Sequence, residues 1–185
     1  MSVPLAKGTA FLHDREYILM NHGADAWKRV EEVLGPADVA ALNSVVAIGW
    51  YENALLFRVL AATEVALRDR DPKIIDTLGR YAAEGDLTRI HRVFLRMANP
   101  AVVVEKATAI WSRFFDTGTW RVTRVDRGAD AALVGAGVYH DVFCRNLRAY
   151  LQRLFELVGA KEVTVRHVAC RTRGDAACEY AIRWK

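Results

Sequence analysis

VYHDVFCRNLRAYLQRLFELVG (138–159), followed directly by AKEVTVRHVACRTRGDAACEYAIRWK (160–185), decides the fold of this chain. In the first stretch Phe143, Leu147, Tyr150, Leu151, Leu154 and Val158 recur at helical spacing, which predicts one long amphipathic helix ended by Gly159. In the second, KEVTVRHVAC (161–170) and CEYAIRW (178–184) read as two strands joined by the turn RTRGDAA (171–177). Working back from the helix, TWRVTRV (119–125) alternates like a half-buried strand. RGAD (127–130) is a turn, and DAALVGAG (130–137) is a second strand. The order β-β-α-β-β predicts an antiparallel sheet covered by one helix.

Upstream of Gly118 the pattern is helical. Ala24 to Leu34 carries Trp27, Val30, Val33 and Leu34 on one face; Gly35-Pro36 stops it, and Asp38 is placed to cap the next helix. Asp71-Pro72 and Asn99-Pro100 each put a capping side chain before a proline at the first helical position. The helices between carry Leu55, Leu56, Val59, Leu60, Thr63 and Leu67, then Leu87, Ile90, Phe94 and Leu95, then Val103, Ala107, Ile110, Trp111 and Phe114. Residues 7–21 read as a short extended entry segment. The fold class expected is therefore α+β in a single domain over 1–185, with 1–117 mainly helical and 118–185 sheet plus helix.

At 185 residues and 52% hydrophobic the chain is long enough to bury a substantial core. A net charge of +4, spread over helix faces, predicts a solvated surface, the alternative being a partner-binding stripe for an acidic protein, nucleic acid or lipid headgroups; direct nucleic-acid binding is not expected. The opening MSVPLAKGTA is not a signal peptide. Val39 to Tyr51, the longest uncharged stretch of the helical half, is 13 residues and too short for a membrane span. A cytoplasmic location follows. Three cysteines, an odd number, argue against an extracellular disulfide framework.

Those cysteines carry the chemistry. Cys170 and Cys178 bracket a turn, and Cys144 faces the sheet from its helix beside Leu147, Leu151 and Phe155. Three sulfurs delivered in this way suit a tetrahedral structural metal, zinc being the expected ion. His167, three residues before Cys170, is one candidate for the fourth ligand. On a straight strand it would point to the opposite face, so it joins only through a bulge. His140, four residues before Cys144 on the same helix face, is the rival, and Asp175 and Glu179 are further candidates. Three packed, reduced cysteines are the plain alternative.

The run from Cys144 through the helix, the Gly-Ala-Lys turn, VTVRHVAC and CRTRGDAAC resembles the 4-vinyl-reductase-like domain of the heme-nitric-oxide-binding-like superfamily. It is similar above all to the sensor domain of phenol-responsive activators. The resemblance covers 119–185. It implies a metal set of Cys144, Cys170 and Cys178, with His167 standing where the family has a glutamate. It further implies a non-enzymatic module that encloses a small apolar or aromatic ligand, pairs as a homodimer and signals through a protein partner. A ligand-free adaptor or scaffold of the same fold is the alternative.

Other signals are weaker. GAGVYH (135–140) lacks the third glycine and the parallel βαβ setting of a dinucleotide turn. His91, on a helix face with Ile90, Phe94 and Leu95, has the residue type of a heme ligand. The Tyr-x-Ser-x-Arg motif of the heme-binding relatives is absent, so heme is not expected. Among Trp50, Tyr51, Phe57, Trp111, Phe114, Phe115 and Trp120 some would line a ligand pocket, with a Trp N–H or Tyr51 fixing a polar end. No triad, paired-carboxylate or phosphate-loop signature is legible, so an enzyme has no support.

Overall fold

The computed structural model describes residues 2–90 and 99–185, with the backbone alone for 87–90. A small two-stranded antiparallel sheet of β1 (Leu5–Lys7) and β2 (Trp50–Glu52) frames the start of a helical layer. That layer holds α1 (Gly8–His22), α2 (Ala24–Leu34), α3 (Pro36–Asn43), α4 (Asn53–Leu67) and α5 (Ile74–Ile90). Two short helices, α6 (Pro100–Glu105) and α7 (Ala107–Trp111), lead into β3 (Thr119–Val125) and β4 (Gly128–Val134). Then come α8 (Asp141–Leu157), β5 (Thr164–Ala169) and β6 (Cys178–Arg183). The four-stranded sheet is antiparallel in the order β3-β4-β6-β5. The α+β class and the β-β-α-β-β order are as the sequence predicts.

The stripe of α8 explains its position. Phe143, Leu147, Leu151, Leu154 and Phe155 are buried, and they pack between α5 and the inner face of the sheet. On β4, Ala129, Ala131 and Leu133 alternate inward; on β6, Cys178, Tyr180 and Ile182 do so. The outer side of the α5–α8 pair is laced by ion pairs: Arg148–Asp76 at 2.6 Å, Arg153–Glu84 at 2.7 Å and Arg80–Glu156 at 2.8 Å. The two helices cross backbone to backbone at Gly79, where a Cβ would land on the carbonyl oxygen of Asn146.

Several local expectations change. Residues 8–22 form α1 instead of an extended entry segment. Its buried residues include His13 and Asp14 while Leu19 and Met20 face water, so no apolar stripe marks it. Asp38 is not a cap: it lies inside the first turn of α3 and holds Arg58 through Nε at 2.7 Å. Asp71-Pro72 forms a turn ahead of α5, with Asp71 Oδ1 accepting from the Lys73 N–H. Asn99 does cap α6, accepting from the Val102 N–H at 3.1 Å. The β3–β4 hairpin turns on Asp126 and Arg127, the latter at φ 49°, one residue earlier than expected. His91, Phe94 and Leu95, with the side chains of Leu87 and Ile90, lie outside the described residues. No described helix is long and apolar enough to cross a membrane.

Candidate functional site

A partly open cavity of about 110 Å³ lies between the helices and the sheet. Trp111, Phe115, Trp120 and Phe143 make one wall, with Trp111 and Phe115 stacked at 4.1 Å between ring centres and Phe143 edge-on to Phe115 at 5.5 Å. Leu56 and Leu60 of α4 and Leu147, Leu151 and Leu154 of α8 complete the apolar lining. The Trp111 N–H is already used, donating to the Thr117 carbonyl at 2.8 Å. Tyr51 is not part of the cavity; its hydroxyl accepts from the Val46 N–H at 2.8 Å. Trp50 is largely exposed.

Part of the cavity lining is polar. His13 and Asp14 come from α1, Asp86 from α5, and Asn146 and Tyr150 from α8. The Tyr150 hydroxyl donates to Asp86 Oδ2 at 3.0 Å, and His13 Nδ1 lies 3.6 Å from Asp86 Oδ1. Gly85 permits that approach, because a Cβ there would sit 2.7 Å from His13 Nε2. Burial pushes the Asp14 carboxyl up to about 8. It pushes Asp86 up to about 7, against the hydrogen bond from Tyr150. The Tyr150 phenol is raised well above its ordinary value by burial and by Asp86. Of these polar residues the sequence picked out only Tyr150, and that as part of the apolar stripe of its helix. They come from three elements 64 or more residues apart in the case of Tyr150 and Asp86, and no local pattern joins them.

The predicted cysteines and His167 also converge. Cys144, Cys170 and Cys178 are buried, and with His167 they offer four ligand atoms within 4.8 Å of one another. The Sγ–Sγ separations are 3.6 Å (144–178), 3.9 Å (144–170) and 4.0 Å (170–178). A tetrahedron with metal–sulfur bonds of about 2.3 Å has sulfur–sulfur edges of roughly 3.8 Å. His167 reaches the cluster through a bulge: it pairs with Tyr180 while Ala169 pairs with Glu179, leaving Val168 extra and exposed. His140 is elsewhere, capping α8 by accepting from the Val142 N–H. Asp175 accepts from the Cys170 N–H at 2.7 Å, which tightens the turn, and Glu179 is exposed. Within the trio Cys178 is the acidic thiol. It is drawn down to about 5, chiefly by the hydrogen bond from Cys144 and then by the Arg171 N–H, while the Cys144 thiol is held far above its ordinary value.

The architecture matches solved structures across nearly the whole chain. An H-NOX protein from Shewanella oneidensis in the Fe(II)NO ligation state aligns with a TM-score of 0.73 at 14% identity, covering 97% of this chain and 99% of that one. The fold is that of the H-NOX domains. The Fe(II) unliganded H-NOX protein from K. algicida aligns at 0.66 and 13% identity, over 97% and 96% of the two chains. An oxygen-binding H-NOX domain related to soluble guanylate cyclases aligns at 0.65 and 12%, over 96% and 92%. No protein-family model matches the sequence, and no curated protein does.

These structures overturn the cofactor expectation, in which zinc was the cofactor and heme was set aside. H-NOX structures are described in Fe(II), Fe(II)NO and oxygen-bound states and by their heme distortion, so heme, and not zinc, is the group named for the solved structures of this fold. The sequence drew attention to the cysteine cluster because that cluster is local and legible, whereas an interior chamber is assembled from distant residues.

A heme needs an apolar slot, an axial ligand such as histidine, and partners for two propionate carboxylates. The walls described above supply the apolar slot. Among the described residues His13 is the histidine that lines the cavity, and no lysine or arginine does. Asp14 and Asp86 are the carboxyls of the lining, and they would repel propionates. The volume of about 110 Å³ falls well short of the roughly 300–1,000 Å³ typical of cofactor sites. As arranged, the described residues do not fit a heme, and the cavity has room for a smaller molecule.

Proposed function

We propose that this chain is a ligand-binding sensor domain that takes up a small, mostly apolar molecule in its interior cavity. The observation that carries the reading is that cavity of about 110 Å³, walled by Trp111, Phe115 and Phe143 and lined in part by buried polar groups. Close-packed interiors leave few voids of this size, and an apolar cavity of about 150 Å³ is enough to bind benzene. A filled core would favour the adaptor alternative; an open one favours a ligand. That H-NOX structures are described as NO-ligated and oxygen-bound supports a small-ligand role. The spacing of Cys144, Cys170 and Cys178 supports a place near the 4-vinyl-reductase-like branch.

Toluene tests the reading. It is expected to raise the melting temperature of the parent protein in a concentration-dependent way. Ala131 is a buried residue of the cavity wall, and Ala131→Leu fills part of the space, so that variant is expected to lose the effect. Identical toluene responses in parent and variant, or none in the parent, would count against the cavity as the site.

The thiol cluster belongs to the proposal as a second, separate site. Cys144, His167, Cys170 and Cys178 are read as ligands of a thiophilic metal ion that fastens α8 to the β5–β6 hairpin, the residues themselves not choosing the ion. The sulfur–sulfur distances near the tetrahedral edge support it. Titration with cobalt(II) under reducing conditions is expected to give sulfur-to-cobalt charge-transfer absorption at one equivalent, lost in Cys178→Ser. A featureless titration would return the three thiols to the core.

A further inference from the structure

We propose that the cavity selects a small cation, an alkyl- or arylamine whose ammonium group lies at the unpartnered Asp14 carboxyl, with Asp86 a second carboxyl in the same lining, and whose hydrocarbon part lies against Trp111, Phe115 and Phe143. The proposal rests on the reading of the cavity as a ligand site and adds the chemical class of the ligand.

Three observations carry it. First, Asp14 is only 4% exposed, lines the cavity and makes no hydrogen bond among the described residues. Buried polar groups are nearly always partnered, and a carboxyl group left facing an apolar cavity is costly unless a donor completes it. Second, a further buried carboxyl, Asp86, lines the same cavity. It accepts a single hydrogen bond from Tyr150 on one oxygen, while its other oxygen faces His13 at 3.6 Å. Third, among the described residues no lysine or arginine lines the cavity. A pocket whose described ionisable groups are two carboxyls, one imidazole and one phenol favours a positive guest and disfavours an anion. The aromatic wall adds cation–π attraction of the same sign.

The size sets the rest. A cavity of about 110 Å³ is smaller than the roughly 150 Å³ cavity that binds benzene, so the enclosed part of the guest is no more than one small ring or a short alkyl chain, the rest lying toward the cavity's open side. Proton traffic follows from the burial that holds Asp14 near 8 and Asp86 near 7. Around neutral pH the empty site keeps Asp14 protonated. An ammonium guest displaces that proton to solvent and leaves a charge-assisted pair. Among the described residues the other titratable groups that line the cavity are His13 on the same helix, Asp86 on α5 and Tyr150 on α8; α4, α7 and the sheet present apolar side chains there.

Benzylamine and its neutral counterpart toluene test this by calorimetry at pH 7, each in two buffers of different ionisation enthalpy. Benzylamine is expected to bind about tenfold or more tightly than toluene, with net proton release. In Asp14→Asn, and separately in Asp86→Asn, that preference is expected to fall toward unity, and in Asp14→Asn the proton release is expected to shrink. Equal affinity for the two probes, or a preference unchanged in both variants, would overturn cation selection while leaving the cavity a ligand site. Failure of both probes to bind the parent protein would overturn the underlying reading as well.

Discussion

Asp14→Asn is expected to stabilise the protein, and by more as the pH rises. The unfolded chain releases the Asp14 proton near 3.8, but burial holds it in the folded protein to about 8. The native state therefore binds more protons than the unfolded state between these values, and stability falls as pH rises across the window. The contribution is intact below about pH 4 and lost above about pH 8, at up to roughly 1.4 kcal/mol for each pH unit crossed. Asparagine has the same shape and no charge to bury, so the loss disappears. Denaturant midpoints at pH 5, 7 and 9 are expected to converge in the variant, apart from a residual slope from Asp86, and to decline steeply in the parent. Equal slopes for the two proteins would show that Asp14 is solvated, and the polar part of the cavity lining would then be open to water.

Gly79→Val has the largest expected cost. A Cβ at Gly79 would strike the Asn146 carbonyl oxygen and lie 3.1 Å from the Tyr150 nitrogen. Both obstacles are main chain, so no side-chain rotation relieves them, and α5 and α8 must move apart. Overpacking of this kind costs about 3 kcal/mol or more, which in a chain of this length lowers the melting temperature by roughly 10 °C. The displaced helices carry part of the polar lining of the cavity. The Tyr150–Asp86 hydrogen bond and the bond from Asn146 Nδ2 to the Ile75 carbonyl both cross this contact. Ligand binding should fall with stability. A variant as stable as the parent would mean that the helices do not approach so closely.

The sequence made some of this legible and hid the rest for identifiable reasons. The α8 helix was readable because its buried face is one unbroken stripe, Phe143 to Leu154, and the sheet because its strands alternate between clear turns. The cysteine cluster was readable because a turn of fixed length joins two of its members. The part played by His167 depends on the bulge at Val168, which no spacing rule reveals. The α1 helix was missed because it turns His13 and Asp14 inward, and those inward polar residues are part of what gives the cavity its acidic lining. The cavity itself draws on residues from Ala10 to Ile182, a range over which no local period exists. The pull of the cysteines toward zinc had the same origin: short-range patterns are visible in a sequence, and a ligand chamber is not.

A crystal of the protein under xenon pressure tests the central claim most directly, because xenon enters enclosed apolar cavities without needing any specific contact. The account predicts a xenon site bounded by Trp111, Phe143 and Leu151. A core with no xenon between helices and sheet would contradict it and favour a filled scaffold that carries no ligand.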